Sequence, residues 1–191
     1  MISFDIGHSG QSLTFDDGVL AHFQRHKQIR FWQREAGGLL FARMNLPVIS
    51  VCRITGPRFG DRRSRYSYRP DERAEQREIE KMFRDDFHFV GCWHTHPEDF
   101  ASPSKLDTRN ISDCVRRSQH ALNGFVMVIV GRAKFPDSLF VSVCDASDVH
   151  PLRVASIKST SAIVLAPVPE LRPSSSASAY PHLNFNFREG S

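Results

Sequence analysis

A run of six apolar residues, Phe125–Val130 (FVMVIV), constrains the fold of this chain more than any other feature. An unbroken apolar run of this length predicts a strand that is buried on both faces, as occurs where helices cover a sheet. No other clean apolar run in the chain is longer, and a membrane-spanning helix needs roughly 18 to 20 such residues. The sequence therefore predicts a globular protein with a covered sheet, and no membrane span.

Helical and strand patterns alternate around this run. Apolar residues at helical spacing predict helices over residues 15–30, 71–86 and 104–119. Segments rich in strand formers predict strands over 38–44, 48–55, 87–96 and 139–143, with 38–44 and 48–55 forming a hairpin and 139–143 pairing with the apolar run. Residues 56–69 read as a loop or a short edge strand. This order indicates the α/β class, with helices packed on a mixed sheet.

Length and composition favour one domain. The chain has 191 residues, of which 40% are hydrophobic and 24% charged, close to ordinary globular usage. We assign the domain to residues 1–150, a C-terminal extension with a possible strand at 163–168 to residues 151–171, and a flexible tail to 172–191, because the stretch PSSSASA is too small and polar to bury surface. The net charge of +4 is too small for a charge-dominated nucleic-acid binder, so we expect no nucleic-acid partner.

The first residues and the cysteines suggest a cellular compartment. Residues 1–11 lack the basic and apolar regions of a secretory signal, so we expect the protein to begin at Met1 and to be cytoplasmic. The four cysteines, at positions 52, 92, 114 and 144, contain no Cys-x-x-Cys pair. In a reducing compartment we expect them to be free thiols.

The stretch Gly91 to Asp107 (GCWHTHPEDFASPSKLD) carries the candidate chemistry. His94 and His96 are two residues apart at the end of a predicted strand, so both side chains face the same side of the sheet. Asp107 follows in the first turn of the next predicted helix, from which a carboxylate can reach back to the strand end. Two histidines and a carboxylate are a sufficient set for a catalytic zinc ion, because the fourth tetrahedral position stays open for water.

Other interpretations of these residues remain open at this point. Ser104 and Asp107 have the Ser-x-x-Asp spacing of a helix capping motif, so Asp107 could serve only to satisfy a backbone donor. A His-x-His pair at an exposed strand end is commonly no more than polar surface. Cys92 lies on the same strand face as both histidines, which makes a Cys/His/His site geometrically conceivable, although a buried thiol is the commoner outcome.

Together these elements resemble the JAMM (JAB1/MPN/Mov34) metalloproteases. The chain reads His94-Thr95-His96-Pro97 and then Pro103-Ser104-Lys105-Leu106-Asp107, which matches the family signature in order and spacing. Upstream, Glu35-Ala36-Gly37-Gly38 looks like the Glu-x-Gly-Gly segment of the family. The resemblance covers roughly residues 15–144 and implies a single MPN-type domain with a curved mixed sheet.

The resemblance also implies a site. Carried over residue by residue, it makes His94, His96 and Asp107 the ligands of one zinc ion per chain. It makes Glu35 the general base that holds the catalytic water, and Ser104 a hydrogen-bond donor to the oxyanion. The glycines after Glu35 would permit close backbone approach at the site.

A function follows from the same resemblance. Compact bacterial members act in ubiquitin-like conjugation systems, including antiphage operons. The chain is therefore expected to be an isopeptidase that cleaves the amide after the C-terminus of a ubiquitin-like modifier, either removing it from targets or maturing its precursor. Expected partners are that modifier or its conjugates and the activating and conjugating enzymes of the same operon, with the substrate tail added to a sheet edge near the zinc. The alternative is a non-catalytic MPN-type scaffold in a larger assembly.

Two loops have open interpretations. The arginine-rich loop 58–65 could be solvated or could meet an acidic partner surface. The loop 98–102 could cover the zinc as a lid.

Overall fold

A computed structural model describes residues 1–158 of the chain. The strand predicted at 163–168 and the tail 172–191 lie outside the described residues. The helices are α1 (Asp17–His26), α2 (Glu72–Arg84) and α3 (Lys105–Arg117). The strands are β1 (Ile2–Ile6), β2 (Gln11–Phe15), β3 (Gly37–Asn45), β4 (Val48–Ile54), β5 (Arg62–Arg63), β6 (Tyr68–Arg69), β7 (His88–Thr95), β8 (Phe125–Val130), β9 (Leu139–Cys144), β10 (Val149–Pro151) and β11 (Arg153–Ile157).

Nine strands form one mixed sheet in the order β10-β9-β8-β7-β3-β4-β2-β1-β11. The pairs β2/β4 and β7/β8 are parallel and the other neighbours are antiparallel. Helix α3 connects the parallel strands β7 and β8, as a crossover between parallel neighbours requires. Register shifts along β3 mark bulges in both neighbouring strands, at Cys52 of β4 and Val90 of β7, which bend and twist those strands and so curve the sheet. The expected α/β class with a curved mixed sheet is confirmed.

The hydrophobic core lies on both faces of the sheet. Val126, Val128 and Val130 of β8 pack in the cluster that includes the buried residues of α1. The alternate residues of the same strand pack in a second cluster with the buried residues of α2 and α3. The apolar run of β8 is therefore buried on both faces, as its sequence predicts.

The predicted hairpins β3/β4 and β8/β9 are confirmed. The N-terminal hairpin β1/β2, in contrast, is absent from the sequence prediction, although Ile2, Phe4, Leu13 and Phe15 alternate with more polar residues and are buried. The predicted start of the first helix, at Phe15, is wrong because Phe15 belongs to this hairpin. Phe15 ends β2, and Asp16 caps α1 by accepting a hydrogen bond from the Val19 amide at 2.8 Å.

Gly91 shapes the strand that leads to the histidines. Gly91 has a φ of 153° and lies beside the register shift between β3 and β7. A Cβ atom at this position would come within 1.9 Å of the Val126 carbonyl oxygen. Only glycine fits this close approach of β8. The last residues of β7 then run beside β3 and β8 near the middle of the sheet, where the candidate site is built.

The four cysteines, Cys52, Cys92, Cys114 and Cys144, are free thiols in the structure. Among residues 1–158, no helix is both long and apolar enough to span a bilayer.

Candidate metal centre and active site

Three side chains converge at the C-terminal end of β7. His94 Nε2 lies 3.1 Å from His96 Nε2 and 3.3 Å from Asp107 Oδ1, and His96 Nε2 lies 3.5 Å from Asp107 Oδ2. All three side chains are largely buried, with 12 to 15% of their surface exposed. They form the one group in the described part of the chain whose histidine, cysteine or carboxylate atoms lie close enough together to hold a metal ion.

The spacing of these atoms fits a zinc ion. Tetrahedral zinc with bonds of 2.0 to 2.2 Å keeps neighbouring ligand atoms about 3.3 to 3.6 Å apart. The 3.1 Å between the two histidine nitrogens is close to this range, and the 3.3 and 3.5 Å distances lie within it but end on different oxygens of Asp107. Three ligands of this kind occupy one face of a tetrahedron and leave the opposite position for water.

The structure supports two roles for Asp107 at once. The Ser104 side chain accepts a hydrogen bond from the Asp107 amide at 3.2 Å, and Asp107 Oδ2 accepts one from the Ser104 amide at 2.8 Å. This reciprocal pair is a capping box that begins α3. The capping interpretation is therefore confirmed, and it does not compete with metal binding, because the cap aims the carboxylate at the histidines.

Hydrogen bonds around the group prepare it for a cation. Burial by itself would raise the pKa of Asp107, but hydrogen bonds from His94 and Ser104 outweigh burial and hold that pKa well below its usual range. Burial and the neighbouring His94 lower the pKa of His96. The His96 ring also bonds to the backbone of Ser102, which orients the imidazole. Metal ligands must be an ionised carboxylate and neutral imidazoles, and the shifts of Asp107 and His96 favour these forms.

Glu35 is placed beside this group by strand pairing. Gly37 pairs with His94 in the β3/β7 ladder, so continuing the antiparallel register sets Glu35 opposite His96. The Glu35 residue is only 6% exposed. Burial raises the pKa of Glu35 to about 7, and the negative charge of Asp107 adds to the shift. A carboxylate that titrates near neutral pH is suited to accept and return a proton there.

The backbone on the C-terminal side of Glu35 is held by a buried threonine. Thr95 is fully buried, its amide donates to the Ala36 carbonyl at 2.8 Å, and its Oγ1 accepts from the Ala36 amide at 3.0 Å. The Thr95 hydroxyl then donates to Oε1 of the fully buried Gln28 at 3.1 Å. Thr95 is the variable residue of the His-x-His motif and Gln28 lies outside the motif, so only the register of β3 against β7 could have indicated the role of Thr95.

The arginine-rich loop 58–65 holds Glu35 itself. The Glu35 amide donates to the Ser64 carbonyl at 2.7 Å, and Arg63 donates to the Glu35 carbonyl. Arg58 is only 9% exposed and pairs with Glu75 at 3.1 Å and with Glu78 of α2. Describing the whole loop as solvated is therefore wrong, and the acidic surface that Arg58 meets belongs to the chain's own helix α2.

The two glycines after Glu35 allow the close approach that the sequence predicts. A Cβ atom on Gly37 would lie 2.6 Å from the Tyr68 ring and 2.8 Å from the Trp93 carbonyl. A Cβ atom on Gly38 would lie 2.0 Å from the Thr55 carbonyl. Larger residues would push Glu35 away from β7, so the glycines set the distance between the two halves of the site.

The structure does not bring Cys92 into the metal-binding group. Cys92 packs against the apolar cluster under α2 and α3, and burial raises the pKa of its thiol. The structure thus supports the buried-thiol interpretation. Trp93, on the opposite face, is 1% exposed and belongs to the other core cluster.

The loop 98–102 is tied to the segment after β8. The amides of Arg132 and Ala133 donate to the carbonyls of Glu98 and Asp99 at 2.7 and 3.0 Å. The Arg132 and Asp99 side chains form an ion pair at 3.0 Å. These contacts hold the start of the loop at the edge of the site, while Phe100 stays 69% exposed.

This fold and site define a JAB-type domain. Over residues 18–143 the chain matches the family of prokaryotic homologs of the JAB domain. The match covers more than half of the chain, so the chain belongs to that family.

Curated relatives are similar over most of their own length. A protein of Escherichia coli (strain TW11681) is 28% identical over 60% of this chain and 72% of its own. A protein of Vibrio cholerae is 30% identical over 61% of this chain and 74% of its own. A third, from Pseudomonas aeruginosa, is 32% identical over 63% of this chain and 77% of its own. Each of the three is named a CD-NTase/cGAS isopeptidase.

A solved structure supports the fold. The solution structure of a protein from Desulfitobacterium hafniense superposes with a TM-score of 0.54 at 20% identity and covers 73% of this chain and 88% of its own.

Proposed function

We propose that the protein is a zinc-dependent isopeptidase that cleaves the amide joining the C-terminus of a modifier protein to a target. The observation that carries this proposal is the convergence of His94, His96 and Asp107 into a group that could hold a metal ion, with contacts of 3.1 to 3.5 Å among their side chains. Glu35 stands beside them as an additional carboxylate that is not needed to complete the ligand set.

The chain's own residues divide the chemistry between them. Zinc at this site would polarise a carbonyl oxygen and lower the pKa of a water. Glu35 accepts the proton that the attacking water loses and delivers it to the leaving amine. The neutral imidazoles of His94 and His96 and the ionised Asp107 would hold the metal.

Ser104 is proposed to donate to the oxyanion. Its Oγ accepts the capping bond from the Asp107 amide, and no described residue accepts a hydrogen bond from its hydroxyl. The hydroxyl proton can therefore point to substrate while the cap stays formed. We expect Ser104→Ala and Ser104→Asp both to lower kcat about 100- to 1000-fold. Only Ser104→Ala should lower the free energy of unfolding, by about 0.5 to 2 kcal/mol, because aspartate still caps the helix. Equal kcat in Ser104→Asp and wild type would exclude the donor role.

The names of the relatives suggest the substrate. Because all three are CD-NTase/cGAS isopeptidases, a CD-NTase linked through its C-terminus to a lysine is the first conjugate to test, together with ubiquitin-like fusions. Both have an extended tail that ends at the scissile amide. The proposal places the protein in a bacterial conjugation system of the antiphage kind, acting in the cytoplasm.

The decisive experiment measures zinc content and cleavage on the same preparations. We expect one zinc per chain in wild type and in Glu35→Gln, and none in His94→Ala/His96→Ala. Cleavage of a CD-NTase-lysine conjugate should fall about 100- to 10,000-fold in Glu35→Gln, because only the base is lost, and should be abolished in the double variant. Wild-type protein that binds zinc yet cleaves neither a CD-NTase conjugate nor a ubiquitin-like fusion would contradict the enzyme proposal and favour the scaffold role.

A further inference from the structure

Three aromatic side chains stand exposed beside Glu35. Phe31, Trp32 and Tyr66 are 75, 60 and 73% exposed. The rings of Phe31 and Trp32 meet edge to face at 4.9 Å. Arg65 connects Tyr66 to this pair, because its guanidinium lies 5.4 Å from the Tyr66 ring and donates to the Phe31 carbonyl. Exposed apolar side chains usually occur singly, and a contiguous group of them marks an interaction site.

Two arginines complete this surface, which we call the aromatic platform: Arg30, Phe31, Trp32, Arg65 and Tyr66. The Arg30 guanidinium lies 5.3 Å from the Trp32 ring, and Arg65 Nε donates to the Tyr66 hydroxyl at 3.1 Å. Tryptophan, tyrosine and arginine are the residue types that contribute most binding energy at protein interfaces.

The platform is held rigidly although it is exposed. The buried Gln28 amide donates to the Gln33 carbonyl at 3.3 Å and to the Arg65 carbonyl at 2.9 Å, so one side chain fastens both halves. A turn closes the first half, with the Gln33 amide donating to the Arg30 carbonyl at 3.0 Å. A second turn closes the other, with the Ser64 amide donating to the Ser67 carbonyl at 2.9 Å. Side chains that are already ordered lose little entropy when a partner binds.

The platform and its surroundings carry an excess of positive charge, although Asp61 interacts with Arg63 at longer range. Within residues 1–158, none of the nearby arginines forms an ion pair; these are Arg30, Arg34, Arg62, Arg63 and Arg65. Arg63 and Arg65 donate to backbone carbonyls, which orient the guanidinium groups without neutralising them. Guanidinium groups bind carboxylates with paired, charge-assisted hydrogen bonds.

The platform is coupled to the catalytic half of the site. Trp32 is three residues before Glu35, a distance of at most about 11 Å along the chain. Gln28, which fastens the platform, also accepts a hydrogen bond from the Thr95 hydroxyl. Trp32 and Glu35 are therefore no farther apart than three or four residues of an extended chain.

We propose that the aromatic platform binds an acidic segment with large apolar side chains in the tail of the modifier, on the acyl side of the scissile amide. This inference rests on the proposed isopeptidase function. An isopeptidase that releases one modifier from several targets must take its specificity from the modifier side. The aromatic rings bind the apolar side chains, and the arginines bind the carboxylates.

The test separates this surface from catalysis. The probe is a fluorescein-labelled peptide of about 12 residues, long enough to cross the platform, in which Leu alternates with Asp and Ser. Binding to Glu35→Gln protein is measured by fluorescence anisotropy, in parallel with a peptide carrying Lys for Asp, a peptide carrying Ser for Leu, and single-stranded oligo-dT. Trp32→Ala and Arg30→Glu remove the two kinds of contact. Leu46→Ala is the matched control, because Leu46 is 62% exposed at the other end of β3.

We expect Trp32→Ala and Arg30→Glu each to raise the Kd of the acidic apolar probe about tenfold or more, and Leu46→Ala to leave it unchanged. Binding should weaken with salt, and neither control peptide should compete. Absence of binding, or binding that both platform variants leave intact, would overturn the proposal. Preferred binding of oligo-dT would overturn it in favour of a nucleic-acid surface, and a concentration-dependent dimer lost in Trp32→Ala would overturn it in favour of a second copy of the chain.

A second measurement distinguishes failure of the platform from failure of the enzyme proposal. On a conjugate whose tail contains the probe sequence, Trp32→Ala should raise KM about tenfold and leave kcat unchanged. A tail without that sequence should be cleaved equally by Trp32→Ala and wild type. If wild type cleaves no conjugate, the isopeptidase proposal fails, and the anisotropy results still decide whether the platform binds an acidic tail.

Discussion

The three proposed metal ligands come from a single stretch of 14 residues, His94 to Asp107, whereas the proposed base Glu35 lies 59 residues before His94. The ligands are positioned by local structure: the period of a strand and a capping box. Glu35 is positioned by contacts that are distant in sequence, from Ser64, Arg63 and Thr95. A metal site can thus be encoded in one short segment, while its proton-transferring group depends on the whole fold around it.

The largest expected effect separates the two roles that Asp107 combines. Asp107→Ala removes the ligand and half of the capping box, whereas Asp107→Asn removes the anionic ligand and keeps an acceptor for the Ser104 amide. We expect both variants to lose zinc affinity by more than about 100-fold and to lose cleavage. Only Asp107→Ala should lower the free energy of unfolding of the zinc-free protein, by about 1 kcal/mol.

Zinc titration by calorimetry and urea unfolding of the zinc-free protein measure these two quantities. Full zinc binding by Asp107→Asn would show that the carboxylate is only a helix cap. It would also mean that the metal ligands do not all come from the segment His94 to Asp107, so the contrast with Glu35 would no longer hold.

A middle-sized effect is expected from the buried contact that holds Glu35. Thr95→Val removes the hydroxyl and leaves the Ala36 amide and Oε1 of Gln28 without a partner. We expect this variant to lose about 1 to 3 kcal/mol of unfolding free energy and kcat to fall about 10- to 100-fold, because the base is displaced. Thr95→Ser keeps the hydroxyl and should retain most of the unfolding free energy and most of kcat.

Zinc content separates this effect from damage to the ligands. Because Thr95→Val changes neither histidine nor Asp107, its zinc content should equal that of wild type. Loss of zinc in Thr95→Val would mean that the two halves of the site are not independently held.

The smallest expected effect is the pH dependence of the free energy of unfolding of the metal-free protein. Burial raises the pKa of Glu35 to about 7 from an ordinary value of 4.5. Between these pH values the folded chain keeps a proton that the unfolded chain releases, so the free energy of unfolding falls as pH rises from about 4.5 to 7 and levels off above. One such group contributes at most about 1.4 kcal/mol per pH unit.

Glu75 provides the matched control. Its pKa is also raised to about 7 by burial, and it lies beside Arg58, away from the ligands. We expect Glu35→Gln and Glu75→Gln each to flatten the dependence of unfolding free energy on pH, as measured by urea unfolding. Added zinc should reduce only the part of this pH dependence that Glu35 contributes, because a nearby cation favours the ionised carboxylate. An unchanged slope in Glu35→Gln would mean that Glu35 is not protonated in the metal-free protein.

The sequence alone determined the parts that depend on local spacing. The apolar run of β8, the two hairpins, helices α2 and α3, and the His94, His96 and Asp107 set all follow from periods and caps over a few residues. The N-terminal hairpin is absent from the sequence prediction, although Gly7 and Gly10 adopt positive φ in its turn.

Only the tertiary structure decided what surrounds Glu35. That Thr95 and Gln28 hold the adjacent backbone, that Arg63 and Arg58 are engaged within the fold, and that Phe31, Trp32 and Tyr66 form one surface depends on residues far apart in sequence. A hydrogen bond satisfies a buried donor whatever the sequence separation of its partner, so no local pattern records it. Burial and long-range pairing, rather than residue type, give these side chains their roles.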